Sequence, residues 1–228
     1  NLGLTSINVG SPQALADAAA ANRLPAGLTL TQDVLNRLLR GDTQFGAPAL
    51  ETLQLSARDS FNFYGTTTLD TYDAVTGKSL LNNLMLSTPA IYGSGGASDV
   101  ATIRTANLIW QGAEALPGTV VAGGAGTGNG RLDINAERIE FGYGAFAQSS
   151  TAATLDRLAL GFANVNLKAS DRITANHKGS LSVYQSQGAF DKVKGFAYSG
   201  GNLNILTPLM TGEAGSVNKI TEIGRAHV

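Results

Sequence analysis

The sequence predicts an all-β chain whose strands stack as rungs of a solenoid. One or two short helices are expected near the N-terminus, with loops projecting from the stack. Three observations carry this: apolar residues that alternate with polar ones from residue 50 onward, a unit that recurs along the chain, and a composition suited to strands and turns. A strand sends successive side chains to opposite faces, so alternation marks one buried face and one wet face.

The segment 1–49 reads as mixed, leading into or decorating the solenoid. Ser11 followed by Pro12 and an alanine-rich run to Asn22 carries helix-start signals. Thr31–Gly41 places Val34, Leu35, Leu38 and Leu39 on one face of a second short helix, stopped by Gly41. Between them Gly27–Leu30 is a short strand candidate.

The segment 50–221 reads as the solenoid itself. Leu53-x-Leu55-x-Ala57, Leu132-x-Ile134-x-Ala136 and Val165-x-Leu167-x-Ala169 are each followed, after two or three intervening residues, by Phe61, Ile139 or Ile173. The small alanine falls where the chain must bend between two strands. Strand starts at Val165, Leu181 and Leu203 recur at roughly 16 to 22 residues, about one rung. A single rung cannot bury its apolar face alone, so stacked neighbours share a continuous core. The stretches Tyr72–Asn83 and Ala115–Gly130 are expected as loops. Asn62, Asn135, Asn166 and Asn204 are candidates for polar ladders between stacked strands.

Composition narrows the function classes. The chain has 228 residues and is 43% hydrophobic, enough for a substantial core, while only 14% is charged. A formal net charge of −1 gives no electrostatic reason to expect nucleic acid or an anionic membrane as partner. The absence of cysteine excludes disulfides and zinc–thiolate sites. No run of about 18 apolar residues is present, so no membrane insertion is expected.

The ends are expected to be artificial. The first residue is Asn1, and no basic-then-apolar leader follows it. Back-translated as GAG ATC GGA AGA GCA CAC GTC, residues 222–228 match what a common short-read sequencing adapter encodes in this frame. Ile223–Val228 are therefore expected to be foreign, with Glu222 at the junction and the natural chain continuing past Thr221.

Three segments resemble filamentous haemagglutinin-type exoproteins, in particular an uncharacterised conserved region of that family. They are Leu53–Gly65, Ala90–Thr105 and Gly130–Gly144, and the resemblance covers most of residues 24 to 215. It implies a right-handed parallel β-helix, export by two-partner secretion through an outer-membrane transporter, and a place in an adhesin at the surface of a Gram-negative bacterium. The secretion domain that such a transporter recognises would lie upstream. The resemblance transfers no binding residue. The partner it implies is a glycan or protein receptor.

The search for chemistry ends without an active site, cofactor or metal. Gly77-Lys78-Ser79 looks like the end of a phosphate loop, but Tyr72 stands where its first glycine belongs, so a turn is expected. Gly123–Gly130 has only Asn129 and Asp133 near it as oxygen ligands, too few for a calcium repeat. Of two histidines, His177 sits in a turn and His227 in the suspected foreign tail. Asp133, Glu137, Glu140 and Asp171 could serve a carbohydrate-active β-helix enzyme only if two of them faced one another across a substrate. Tyr64, Tyr92, Trp110, Tyr143 and Tyr184 could stack on sugars if exposed in a row. The expected function is thus a non-enzymatic rod segment of an exported adhesin. The alternatives are a polysaccharide lyase or hydrolase, or a phage tail-spike-like glycan binder.

Overall fold

A computed structural model describes residues 2–41, 50–144, 153–222 and 226–227. In chain order the elements begin β1 (Leu2–Gly10), α1 (Pro12–Ala20), β2 (Leu28–Leu30), α2 (Gln32–Arg40), β3 (Thr52–Tyr64) and β4 (Thr67–Asp70). There follow β5 (Asn83–Ser87), β6 (Ala90–Gly93), β7 (Val100–Trp110), β8 (Gly130–Phe141), β9 (Thr154–Leu160) and β10 (Phe162–Ala175). The rest are β11 (Lys178–Tyr184), β12 (Ser186–Asp191), β13 (Gly195–Ser199), β14 (Asn202–Leu206), β15 (Met210–Thr211), β16 (Val217–Glu222) and β17 (Ala226–His227).

The chain is mostly β, and its principal sheet is parallel and nearly closed on itself. Strand pairing sorts it into three walls. The first wall stacks β4, residues 100–105, 130–136 and 162–169, then β14 and β17. The second stacks the start of β1, residues 52–57, β5, 107–110, 138–141, 172–175 and β15. The third stacks β2, residues 6–10, 60–64, β6, β9, β11 and β16. The chain visits the walls in the order first, second, third, then returns. Long strands such as β8 and β10 serve two walls by bending. Ala136 and Ala169 sit opposite one another at that bend, as the repeated unit predicts, and the register shifts just beyond them. Ala57 marks a different corner, between the second and third walls.

Inward residues align in columns. Ala101, Leu132, Val165 and Leu203 form one, and Leu69, Ile103, Ile134, Leu167 and Ile205 another, all buried in a single inner cluster. Each large aliphatic buried in this way contributes about 1.5–3 kcal/mol. One circuit omits the third wall: β7 and β8 lie between β5 and β10 on the second wall, yet β6 pairs directly with β9. Residues 111–129 leave the stack there.

Both expected helices form. Ser11 and Thr31 cap them, their side chains accepting from the amides of Ala14 and Val34. They do different work. Leu15 and Ala18 of α1 pack on the outside of the third wall, whereas Leu35 and Leu39 of α2 enter the inner cluster. The Gln32 side chain also stands in for a strand beside β4, donating to Asp70 O at 2.8 Å and accepting from Asp70 N at 2.8 Å. It thereby satisfies an edge that has no strand before it among the described residues. The opposite end shows no such cover among the described residues, and Met210, Val217 and Ile220 are exposed there.

Three features depart from the sequence reading or add to it. The segment 1–49 contributes β1, a full member of two walls. Tyr72–Asn83 turns back as expected up to Leu80, but Leu81 enters the inner cluster and Asn83 opens β5; Ala115–Gly130, also expected to project, instead lies down on the third wall up to Asn129, and Gly130 opens β8. Gly118 N donates to Asp59 O at 2.9 Å, and the Gly126 and Gly128 amides donate to Gly93 O at 2.9 and 3.0 Å. The projecting element is an antiparallel hairpin, β12–β13, which the sequence reading does not foresee. Ala226 and His227, in the tail expected to be foreign, pair with β14; the rest of Ile223–Val228 lies outside the described residues.

Candidate binding cleft on the third wall

Outward side chains of the third wall are largely apolar. Tyr64, Ala90, Tyr92, Leu158 and Leu160 form a second cluster with Leu15 and Ala18 of α1 and Ala125 of the 111–129 segment. The phenols inside it are satisfied by main chain. Tyr64 donates to Arg23 O at 3.0 Å and Tyr92 to Gly118 O at 2.7 Å. Burial pushes the Tyr64 phenol up to about 12 and raises that of Tyr92 as well.

Where the chain leaves the stack, Arg157 points inward from β9 and is only 2% exposed. Its Nε donates to Trp110 O at 2.6 Å, Nη2 to Gln111 O at 2.9 Å and Nη1 to Leu155 O at 3.1 Å. The guanidinium lies over the Phe141 ring, 5.3 Å from its centre. Burial lowers its pKa to about 10, with Asp156 opposing the shift, so it remains cationic at neutral pH. A five-donor fork suits this position, because main-chain carbonyls at the exit point would otherwise be buried without donors.

Past the covered region, a cleft of about 230 Å³ opens between the 111–129 segment and the hairpin. Register places its floor: Leu158 lies beside Ser182, Asp156 beside Ser180, and Leu160 beside Tyr184. Leu116 and Pro117 form one side, Tyr198 of β13 the other, and Glu114 joins Asp156 at the rim. Ser180 Oγ donates to Asp156 Oδ1 at 2.6 Å. Tyr184 and Tyr198 stack with centroids 4.4 Å apart and planes 15° apart. Phe196 lies 6.4 Å beyond Tyr198, and Phe190 lies 5.0 Å beyond Phe196, so four rings run from the wall onto the hairpin. The turn is fixed by Asp191, whose carboxylate accepts from the Val193 and Lys194 amides at 2.8 Å each; these bonds hold its pKa down.

The candidate acids do not gather here. Asp133 faces out from the first wall, held by Arg131 Nε at 3.0 Å and Asn166 Nδ2 at 2.7 Å. Glu137 and Asp171 share the corner between the first and second walls, on neighbouring circuits. Asp171 is engaged by Arg138 Nε at 2.6 Å, which holds its pKa down, and Glu137 accepts from Tyr72 at 3.3 Å. Glu140 faces out from the second wall and accepts from Gly144 N at 2.7 Å. Among the described residues, no three His, Asp or Glu side chains are grouped to hold a metal ion.

The candidate aromatics divide similarly. Trp110 lies in the inner cluster, its Nε1 donating to Thr88 O at 3.0 Å, and Tyr143 packs edge-on against His177 at 5.1 Å. Tyr64 and Tyr92 are covered. Tyr184 alone of the five reaches the cleft. The turn histidine is tied down: the His177 amide donates to Glu213 at 2.9 Å and its ring meets the same carboxylate at 3.0 Å. At Gly77 a positive φ of 64° and the Asp73 carboxylate make the expected turn. Asn129, in the glycine run, donates its amide to Gly95 O at 3.0 Å, so that segment packs back on the strand ends.

The sequence reading misses Tyr198, Phe196, Phe190 and Arg157. A signal for the first three exists: Phe190 and the Phe196-x-Tyr198 pair flank the turn Asp191–Gly195, the pattern of a hairpin with a shared aromatic face. No family model, curated protein or solved structure matches the chain.

Proposed function

We propose that this chain is a structural segment of a large exported bacterial surface adhesin. In this reading it is a right-handed parallel β-helix, a rod whose covering and projecting elements present binding surface. The observation that carries it is the alignment of the inward columns, Leu69 through Ile205 and Ala101 through Leu203, without a break across successive circuits of the first wall. A stack of this kind extends by about 4.8 Å per circuit while each circuit touches only its neighbours. Length is then gained by repetition and stiffness by the shared core. The resemblance of Leu53–Gly65, Ala90–Thr105 and Gly130–Gly144 to filamentous haemagglutinin-type proteins supports the same reading. Under it, the partners are an outer-membrane transporter, reached through an upstream secretion domain, and a glycan or protein receptor.

The test is to express the natural reading frame in its own bacterium and label intact cells with an antibody raised against this segment. Surface labelling that is lost when external protease is added is the expected result. Labelling that appears only after cell lysis overturns the export reading, whatever the segment's shape.

A further inference from the structure

We propose that the cleft between residues 111–129 and the β12–β13 hairpin binds an uncharged saccharide, with Tyr184 and Tyr198 in its lining and the rings of Phe196 and Phe190 continuing beyond it along the hairpin. This deepens the adhesin reading, on which it rests only for its biological setting.

The first argument is the file of rings. Buried aromatic pairs are ordinary, but this file grades from wall to solvent: Phe196 is 43% exposed and Phe190 62%. A pyranose has an apolar face of axial C–H groups and a rim of hydroxyls. The apolar face suits an aromatic ring; since Tyr184 and Tyr198 are stacked on one another, the ring surface left for a sugar lies on the far side of Tyr198 and on the more exposed Phe196 and Phe190. The second argument is what lies opposite. Asp156, Glu114, Ser180 and Ser182 supply carboxylate and hydroxyl oxygens at the floor and rim, placed to accept from sugar hydroxyls. The volume of about 230 Å³ leaves room for a sugar ring rather than a folded domain.

The third argument is charge, and it selects among saccharides. Among the described residues lining the cleft, the cation is Arg157, and its guanidinium is spent on the carbonyls of Trp110, Gln111 and Leu155. The exposed ionisable groups, Glu114 and Asp156, are both acidic. At the cleft a sulfated or uronic sugar would meet repulsion from these two carboxylates, whereas the lysines of the hairpin turn, Lys192 and Lys194, lie beyond it. The platform is also pre-formed: the Gln185 amide donates to Ser199 O at 3.1 Å and Gly200 O at 3.2 Å, closing the hairpin base beside Tyr184. A site that is already ordered loses less freedom on binding.

The experiment titrates the full chain by calorimetry with cellohexaose, chitohexaose, maltohexaose and mannohexaose, and with a heparin hexasaccharide as the anionic probe. Binding of at least one neutral probe is expected, with heparin not bound. Tyr198→Ala should weaken that binding about ten-fold or more, and Phe190→Ala by a smaller factor. Should Tyr198→Ala lower the unfolding temperature, Phe190→Ala decides, since its ring is largely exposed and its loss leaves the fold intact. Failure of every neutral probe to bind, equal binding by both variants and the parent chain, or preference for heparin would each overturn the proposal. None of these outcomes bears on surface labelling of cells, so the two readings fail separately.

Discussion

The first and third walls share a backbone arrangement and differ in what they turn outward. On the first wall the outward rows are polar: Thr68, Thr102, Asp133, Asn166 and Asn204 line up in register, and Asn204 donates to Asn166, which donates to Asp133. On the third wall the corresponding rows run Asn62, Tyr92, Leu160, Tyr184 and Ala90, Leu158, Ser182. Polar rows leave a wall facing water, and among the described residues no helix or long segment packs on its outer face. Apolar rows require cover, and α1, the 111–129 segment and the hairpin all gather there. The stack supplies a repeated geometry, and the outward residues decide where the rest of the chain goes.

The largest expected effect breaks this comparison at its hinge. Arg157→Ala leaves the carbonyls of Trp110, Gln111 and Leu155 without their donor and opens a void beside Phe141. A loss of about 3–5 kcal/mol is expected from these effects together. Arg131→Ala, which removes a solvent-exposed ion pair on the first wall, should cost about 0–1 kcal/mol. Urea denaturation of the two variants measures the difference. Equal costs would mean that the exit of the chain from the third wall is not pinned by Arg157.

The same contrast explains what was legible in the sequence. Strands of the first wall alternate cleanly, as in Leu132-x-Ile134 and Val165-x-Leu167, because water lies on one side of them. On the third wall β6 and the end of β9 are buried on both sides, although β11 still alternates. Leu158, Ala159 and Leu160 are all buried, as are Ala90, Ile91 and Tyr92, so period two disappears and the run reads like any short apolar stretch. The asparagine ladder was legible in part: Asn166 and Asn204 are neighbours, whereas Asn62 accepts a partner from β1, donating to Asn8 at 2.9 Å. The cleft was not legible, because its rings come from Tyr184 on a wall and Tyr198 on a hairpin. Only the pairing of those elements brings them together.

Alkaline titration tests the cover on the third wall. Tyr64, buried and donating to Arg23 O, has its phenol pushed up to about 12, against about 10 for a free tyrosine. The folded state therefore keeps this proton after the unfolded chain has lost it. Its stabilising contribution is complete below about pH 10 and falls as pH rises toward about 12, by about 1 kcal/mol per pH unit. Thermal unfolding followed from pH 9 upward should show this decline, and Tyr64→Phe should make it shallower, leaving the part due to Tyr92. A variant with the parent's slope would show that the phenol is not held behind α1.

The smallest effect lies on the wet wall. Asn166 accepts from Asn204 at 2.8 Å and donates to Asp133 at 2.7 Å, half-buried between neighbouring strands. Asn166→Ala removes both bonds and should cost about 1 kcal/mol at neutral pH, with little dependence on pH near the carboxylate range. Asn166→Asp keeps the shape, and the new carboxylate can still accept from Asn204, but it now faces the Asp133 carboxylate across one strand spacing. Like charges directly opposite one another are destabilising. That penalty should fade as pH falls toward about 4 and one carboxyl becomes protonated. The difference in urea midpoint between the two variants, measured at pH 7 and again near pH 4, separates a ladder held by hydrogen bonds from side chains that are only adjacent. If Asn166→Asp shows no such recovery on acidification, the ladder does not hold Asp133 against position 166, and the first wall is wet without being bonded.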